Sequence, residues 1–383
     1  MAGIYVHIPF CASRCIYCGF YSTTGKENLQ ERYIDALIKE YRQRKNYLKG
    51  DKVHTIYIGG GTPSLLSRDS LLRIKNGVLS EIDIKSIEEF TIECNPDDIT
   101  PDFVKTLREL CVTRVSMGAQ TFSDERLRFL NRRHRSGQIP EAVMLLREAG
   151  IKNISIDLMF GFPKETLAEW EKDIETALAL DVEHLSAYSL MYEEGTTLYR
   201  KKESGEISEI DEELSAKMYE MLIDKLTDAG FEHYEISNFA KAGYRSKHNS
   251  SYWNGTRYLG LGAAAHSYDG KTRGWNADNI EGYIKFIEEK PEAGDDKGFC
   301  CQAMDYEVID EATNYNDIIT TALRTREGID LGKLADPYNI YILRYARKAI
   351  NKGLLEFEDN HLRLTRQGLF VSDDVMSDLI YVD

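Results

Sequence analysis

Apolar positions along the chain fall into short β-branched or aromatic runs, separated by stretches with a helical rhythm. Ile4–Ile8, Thr55–Ile58, Phe90–Glu93, Arg114–Met117, Ile154–Met159 and Leu185–Leu190 are predicted strands. Leu29, Tyr33, Leu37 and Tyr41 recur every four residues and predict an amphipathic helix over 28–49, with Gly50 as its C-cap. Thr100 followed by Pro101 predicts an N-cap and first helical position, opening a helix that runs to Cys111. Strands alternating with helices predict an α/β fold with a parallel sheet and crossover helices. Six such units fall short of the eight of a closed barrel, so a partial (β/α)6 barrel is expected. A helix over 211–229 and a strand over 231–237 extend it. Glu288–Gly298, rich in charge with Pro and Gly, reads as a linker or long surface loop. Residues 305–383 read as a small, mainly helical, winged-helix-like domain, with a hairpin over Leu354–Leu364 turning at Asp359-Asn360. The expected division is 1–240, 241–298 and 299–383.

Charge and cysteine usage narrow the chemistry. Against 48 Lys plus Arg stand 63 Asp plus Glu, a net charge of −15 in 383 residues. That excess argues against a nucleic-acid partner, whose phosphates draw affinity from Lys and Arg, and against electrostatic adhesion to anionic membranes. No apolar run reaches the ~18 residues of a membrane span, and the N-terminus lacks a basic-then-apolar leader. A cytoplasmic location without a transmembrane span is expected, with peripheral membrane contact left open.

Three of the seven cysteines, Cys11, Cys15 and Cys18, lie within eight residues, directly after a strand end. Each thiolate can hold one iron of a cubane cluster, leaving a fourth iron without a local cysteine. A structural zinc site with His7 as fourth ligand, or three unligated cysteines, are the alternatives. Later strands end in polar groups: Gly59-Gly60-Gly61-Thr62-Pro63, Glu93, Gln120 and Asp157. Strand C-termini are where barrels collect their chemistry. Cys94, Cys111, Cys300 and Cys301 are not claimed as ligands.

The Cys-x3-Cys-x2-Cys spacing, with Tyr17 directly before the last cysteine, resembles the radical S-adenosylmethionine (SAM) superfamily. Tyr5-Val6-His7-Ile8-Pro9-Phe10-Cys11 looks like its HemN/HemW branch of coproporphyrinogen III dehydrogenases and haem chaperones. This resemblance implies a 4Fe–4S cluster on Cys11, Cys15 and Cys18. It also implies SAM contacts from Tyr5, Tyr17, Gly60, Gly61, Thr62, Glu93, Gln120, Arg132 and Asp157. Dehydrogenases of this branch usually carry a further cysteine where Phe20 stands here, together with an N-terminal extension. His248-Asn249-Ser250-Ser251-Tyr252-Trp253 matches the His-Asn-x-x-Tyr-Trp motif of the chaperones. The resemblance therefore implies haem as cargo near His248, Tyr252 and Trp253, with His266 a second candidate. Arg245, Lys247 and Arg257 are near enough in sequence to pair with propionates. The expected function is haem delivery to an apo-haemoprotein, with an electron donor as a second partner. The alternative is an oxygen-independent oxidative decarboxylase of coproporphyrinogen III.

Overall fold

The computed structural model describes residues 1–48, 50–80, 82–290 and 304–382. Six parallel strands form its centre: β1 (Ala2–Ile8), β2 (Val53–Gly60), β3 (Glu89–Cys94), β4 (Arg114–Gln120), β5 (Asn153–Phe160) and β6 (His184–Ser189). Each matches an expected strand, extended by a residue or two at most ends. Two short strands, β7 (Glu232–Glu235) and β8 (Asn238–Ala240), add to the β6 edge in antiparallel fashion. On the other side lie β9 (Arg257–Leu261), β10 (His266–Tyr268), β11 (Thr272–Trp275) and β12 (Asp305–Val308). The order is β12-β11-β10-β9-β1-β2-β3-β4-β5-β6-β8-β7, so among the described residues β1 and β6 do not meet and the barrel stays partial.

Residues 241–290 contribute to the main sheet. Their strand β9 pairs in parallel with β1, with Ile4 opposite Leu259 and Val6 opposite Leu261. Glu288 and Glu289, expected in a linker, complete the helix Ile280–Glu289. The expected linker beyond Lys290, like Cys300 and Cys301, lies outside the described residues.

Strand alternation sorts the side chains. Ile4, Val6, Ile8, Ile56, Ile58, Phe90, Ile92, Val115, Met117, Ile154, Ile156 and Leu158 point outward into the main core beneath the helices. Burying each such side chain contributes about 1.5–3 kcal/mol. The inward positions are polar or aromatic: Tyr5 and His7, Thr55 and Tyr57, Glu89 and Glu93, Arg114 and Ser116, Ser155 and Asp157, His184 and Ser186. A lumen of this character is filled by hydrogen bonds rather than by apolar layers. At its β6 side, His184 shares its two ring nitrogens with Ser155 Oγ and the Tyr234 hydroxyl, both at 2.7 Å.

Helix signals held locally. Thr100 Oγ1 accepts from the Phe103 N–H at 3.2 Å, with Pro101 at the first turn, and Cys111 ends that helix in the left-handed region at φ 65°. The first long helix is shorter than expected, Gln30–Arg44. It stops there because the chain turns, Tyr47 N–H to Arg44 carbonyl at 2.8 Å, and sends Tyr47 and Leu48 into the core. Within this helix, buried Glu40 accepts from Arg44 (2.7 Å), Asn276 (2.8 Å), the Tyr283 hydroxyl (2.7 Å) and the Gly262 N–H (2.8 Å). These bonds fasten the β9–β10 turn to the barrel.

The C-terminal region runs helix Glu311–Ala322, β13 (Ile329–Asp330), helices Asp336–Tyr345 and Arg347–Asn351, then β14 (Leu355–Glu358) and β15 (His361–Leu364). Helix, strand, two helices and a hairpin wing give the winged-helix order, with its own core around Tyr315, Ile319, Ile342 and Leu362. Asp359 and Asn360 sit at φ 49° and 63°, the left-handed pair that a two-residue hairpin turn requires. No helix among the described residues is long and apolar enough to cross a membrane.

Candidate functional site

A cavity of about 530 Å³ opens at the C-terminal ends of β1–β6. The loop after β1 supplies one wall. Its path is set by backbone bonds from Cys11 N–H to Thr23 carbonyl (2.9 Å) and from Ile16 N–H to Leu130 carbonyl (3.2 Å). Cys11, Cys15 and Cys18 are all half-buried and all line the cavity. Burial raises the Cys11 and Cys18 thiols above their ordinary value. The Thr62 hydroxyl lies 3.5 Å from Cys11 Sγ, and Arg132 Nη1 lies 3.5 Å from Cys15 Sγ. Arg132 is fixed in turn by Asn95 Oδ1 and the Gly118 carbonyl, each at 2.6 Å. Tyr17 lines the same wall.

The glycine run after β2 interlocks with that loop. Gly61 N–H donates to the Ile8 carbonyl and Thr62 N–H to the Phe10 carbonyl, both at 2.8 Å. Gly60 sits at φ +112°, and a Cβ there would come within 2.5 Å of the His7 ring. A Cβ on Gly61 would press to 3.0 Å from Cys11 Sγ, so only glycine allows this approach.

Glu93, at the end of β3, accepts from the Tyr57 hydroxyl at 2.7 Å and from the Gly60 N–H at 2.9 Å. Burial pushes its carboxyl up to about 7 despite those bonds. Burial likewise raises Asp157, whose partners include Ser116 at 3.5 Å. Gln120 closes β4 at φ 68°, where the β4–β5 register slips by a residue. A non-glycine residue in that region is strained, and such strain collects at ligand sites. Two carboxyls whose ionisation is disfavoured by burial suit a cationic ligand, whose charge would favour their ionised forms.

Of the sequence-predicted SAM residues, Tyr17, Gly60, Gly61, Thr62, Glu93, Gln120, Arg132 and Asp157 converge on this cavity. Tyr5 does not line it; it lies deeper in the lumen, sharing a 2.9 Å hydrogen bond with His7 Nδ1. The other His7 nitrogen meets the Tyr21 carbonyl at 3.0 Å, so the zinc alternative loses its fourth ligand. Tyr57, Asn95, Ser116 and Ser186 also line the cavity and were not candidates from the sequence; Asn249, of the His-Asn-x-x-Tyr-Trp segment, lines it too. Strand parity could have found three of them: Tyr57, Ser116 and Ser186 share the inward phase of Glu93 and Asp157.

The His-Asn-x-x-Tyr-Trp segment forms the helix Lys247–Trp253, which closes the opposite end of the lumen. Glu89, at the start of β3, accepts from the Lys247 and His248 N–H groups, each at 2.9 Å. His248 is 1% exposed. Its Nδ1 meets Thr55 Oγ1 at 2.9 Å and its Nε2 meets the Tyr252 hydroxyl at 3.0 Å. A Cβ on Gly3 would touch its ring at 3.1 Å. His248 thus has no open ring nitrogen in this arrangement. Trp253 lies under the Arg324 guanidinium, 5.2 Å from the ring centroid. Arg245 is paired with Glu232 and Glu327, Lys247 with Glu88 and Arg257 with Asp51, so these cations are already neutralised. His266 is exposed at the start of β10.

Comparison with known proteins matches this geometry to a family. The radical SAM superfamily model matches residues 5–177, which hold the three cysteines and every SAM candidate. The HemN C-terminal domain model matches residues 309–371. The heme chaperone HemW of Bacillus subtilis is 36% identical, over 98% of this chain and 98% of its own. The heme chaperone HemW of Lactococcus lactis is 31% identical over 99% and 97%. The chain belongs to the HemW family of the radical SAM superfamily. Its fold also superposes on coproporphyrinogen III oxidase HemN from Escherichia coli, with a TM-score of 0.84 and 21% identity, covering 99% of this chain and 90% of that one. At that identity the likeness speaks for the fold. HemW relatives match from end to end, winged C-terminal region included.

Proposed function

We propose that this chain is a cytoplasmic haem chaperone, binding haem and transferring it to apo-haemoproteins. The observation that carries the reading is its end-to-end similarity to proteins named heme chaperone HemW. Cys11, Cys15 and Cys18 would hold a 4Fe–4S cluster, three thiols around one cavity being the donor set such a cluster takes. When bound, the cluster supplies one-electron chemistry and an iron open to the methionine end of SAM.

The chain's own groups account for the rest of the SAM site. Glu93 and Asp157 offer carboxylate acceptors to ribose hydroxyls and counter-charge to a sulfonium. The Gly60–Thr62 run brings backbone close to the ligand, and Gln120 and Arg132 line the same cavity. Arg132 also keeps a positive charge against the Cys15 sulfur. Tyr5 acts at one remove, by packing its ring beside Tyr57 at 6.0 Å. The His248 helix packs across the other end of the lumen, and its Asn249 reaches the cavity lined by the cysteines. Phe20, 74% exposed, stands in the loop where a decarboxylase would carry its further cysteine. An electron donor and the haemoprotein recipient are the partners this function needs.

The test is an anaerobic haem titration of the cluster-reconstituted protein, run beside a coproporphyrinogen III assay. Saturable haem binding with no protoporphyrinogen supports the reading. Decarboxylation with no haem binding overturns it.

A further inference from the structure

This acidic chain keeps one strongly positive segment, and it lies against the cysteine loop. Residues 124–135 hold Arg126, Arg128, Arg132, Arg133 and Arg135 against Asp124 and Glu125, in a protein whose net charge is −15. The short helix Asp124–Phe129 gives way to a left-handed residue, Asn131 at φ 62°. The Arg132 N–H returns to the Leu127 carbonyl at 2.9 Å and the Asn131 N–H to the Arg128 carbonyl at 3.1 Å, the paired bonds of a Schellman stop. That turn carries the chain onto the loop. The Ile16 N–H donates to the Leu130 carbonyl at 3.2 Å, Asn131 Nδ2 donates to the Arg14 carbonyl at 2.9 Å, and Arg132 reaches Cys15 Sγ at 3.5 Å.

The guanidinium groups divide by what they already meet. Arg126 is paired with Glu165 at 3.1 Å and Glu169 at 3.0 Å, and Arg133 with Asp97 at 3.1 Å and Asp98 at 2.7 Å. Arg14, Arg128 and Arg135 are exposed, and among the described residues none of them forms an ion pair. Arg14 donates to the Cys18 carbonyl at 3.2 Å and Arg128 to the Asp124 carbonyl at 3.1 Å, neutral acceptors that leave both charges standing. Asp124 lies within the field of Arg128 and Arg135, but its Oδ1 is taken by the Ser136 N–H at 2.7 Å. Glu193 packs where Gly19 is, so the positive charge collects on the Arg14–Ile16 side of the loop. Exposed Phe20 lines the cavity beside Arg14 and adds an apolar contact to the same face.

A partner with an acidic surface is repelled by most of this chain and attracted only where positive charge is gathered. Electron tunnelling falls off exponentially with distance, so a protein that reduces a cluster on Cys11, Cys15 and Cys18 must seat beside their loop. The unpaired arginines stand on the segment that touches that loop, so they would steer an acidic donor to the place where its electron is needed. One electron leaves the donor and one enters the cluster, and no bond is made or broken.

We infer that Arg14, Arg128 and Arg135 form the docking face for a small acidic redox protein that reduces the cluster. This rests on the cluster assignment made above. The test uses the full chain reconstituted with its cluster, and a flavodoxin, a small acidic flavoprotein, as the probe. Calorimetry at low and high salt gives the affinity, and stopped-flow absorbance follows cluster reduction by the reduced flavodoxin. Wild type, Arg128→Glu/Arg135→Glu and Lys352→Glu are compared. Arg128 and Arg135 lie outside the cavity lining, and Lys352, an exposed cation of the C-terminal region, controls for charge alone. Expected in the double variant is an affinity weakened about tenfold or more, 1.4 kcal/mol, with reduction slowed in step. Its iron content, cluster absorbance and full reduction by dithionite stay as in wild type, which a misfolded variant would not show, and Lys352→Glu matches wild type throughout. High salt should weaken wild-type binding more than that of the double variant. A double variant that binds flavodoxin and is reduced as wild type is overturns the inference and leaves the cluster assignment standing. A short RNA duplex bound more tightly than flavodoxin, and lost in the double variant, overturns it in favour of a nucleic-acid surface. A wild type that assembles no cluster overturns the assignment itself, and the inference with it.

Discussion

Replacing His248 by Ala removes an imidazole that bridges two strands and a helix inside the lumen floor. Thr55 Oγ1 and the Tyr252 hydroxyl, at 2.9 and 3.0 Å from its nitrogens, both lose a partner where water is excluded. Each buried polar group left without a hydrogen bond costs about 1–3 kcal/mol. The void left against Gly3 adds to that, since a neighbouring strand cannot collapse into it. Together they give a destabilisation of about 2–5 kcal/mol. Urea unfolding, followed by near-ultraviolet circular dichroism, reads it as a lower midpoint with the slope unchanged. Tyr252→Phe, which takes away only the hydroxyl, should give a smaller loss in the same direction. An unchanged unfolding midpoint would refute this packing role of His248.

Three further outcomes follow, two at the site and one at a buried carboxyl outside it. Cys15→Ala, which leaves two of the three thiols, should abolish the broad iron–sulfur absorbance and most bound iron after anaerobic reconstitution; full iron retention would contradict the ligand assignment. Glu93→Gln should weaken SAM binding about 10–100-fold by equilibrium dialysis, the loss of a charged hydrogen-bond acceptor being about 1.5–3 kcal/mol; an unchanged Kd would remove Glu93 from the site. Glu165, 2% exposed and anchored by the Gly161 and Phe162 N–H groups, has its carboxyl raised from 4.5 to about 7 by burial. The folded state therefore holds its proton more tightly than the unfolded one, and stability falls as pH rises from about 4.5 to about 7. Glu165→Gln should flatten that fall in unfolding midpoints measured at several pH values, and a slope equal to wild type would show that Glu165 does not titrate in this window.

What could be read from the sequence divides along the range of the interactions. The six central strands, the Thr100 cap and the Asp359-Asn360 turn rest on neighbouring residues, and all stand in the structure. The cysteine loop and the strand-end residues were legible because a barrel concentrates its ligand groups at one end, and motif spacing marked them. Long-range pairing was not legible. Nothing near Arg257–Leu261 says that it will lie beside β1, roughly 250 residues earlier in the chain. Nor does His248 announce that Thr55 and Glu89, brought together by β2 and β3, will take its ring and its backbone N–H. Tyr5 was placed at the SAM site by motif alone, whereas its position in the middle of β1 sets it below the cavity lining. Arg245, Lys247 and Arg257 looked free because their carboxylate partners come from other elements.

The central claim, haem delivery rather than porphyrin decarboxylation, is tested most directly by transfer itself. Purified chain loaded with one equivalent of ferric haem is mixed anaerobically with an apo-haemoprotein whose holo spectrum differs from that of the chaperone. The account predicts haem passing from the loaded chain to the acceptor as the acceptor's own spectrum grows in, while coproporphyrinogen III given to the same preparation stays intact. Haem that never leaves the chain, together with protoporphyrinogen formed from coproporphyrinogen III, would contradict it.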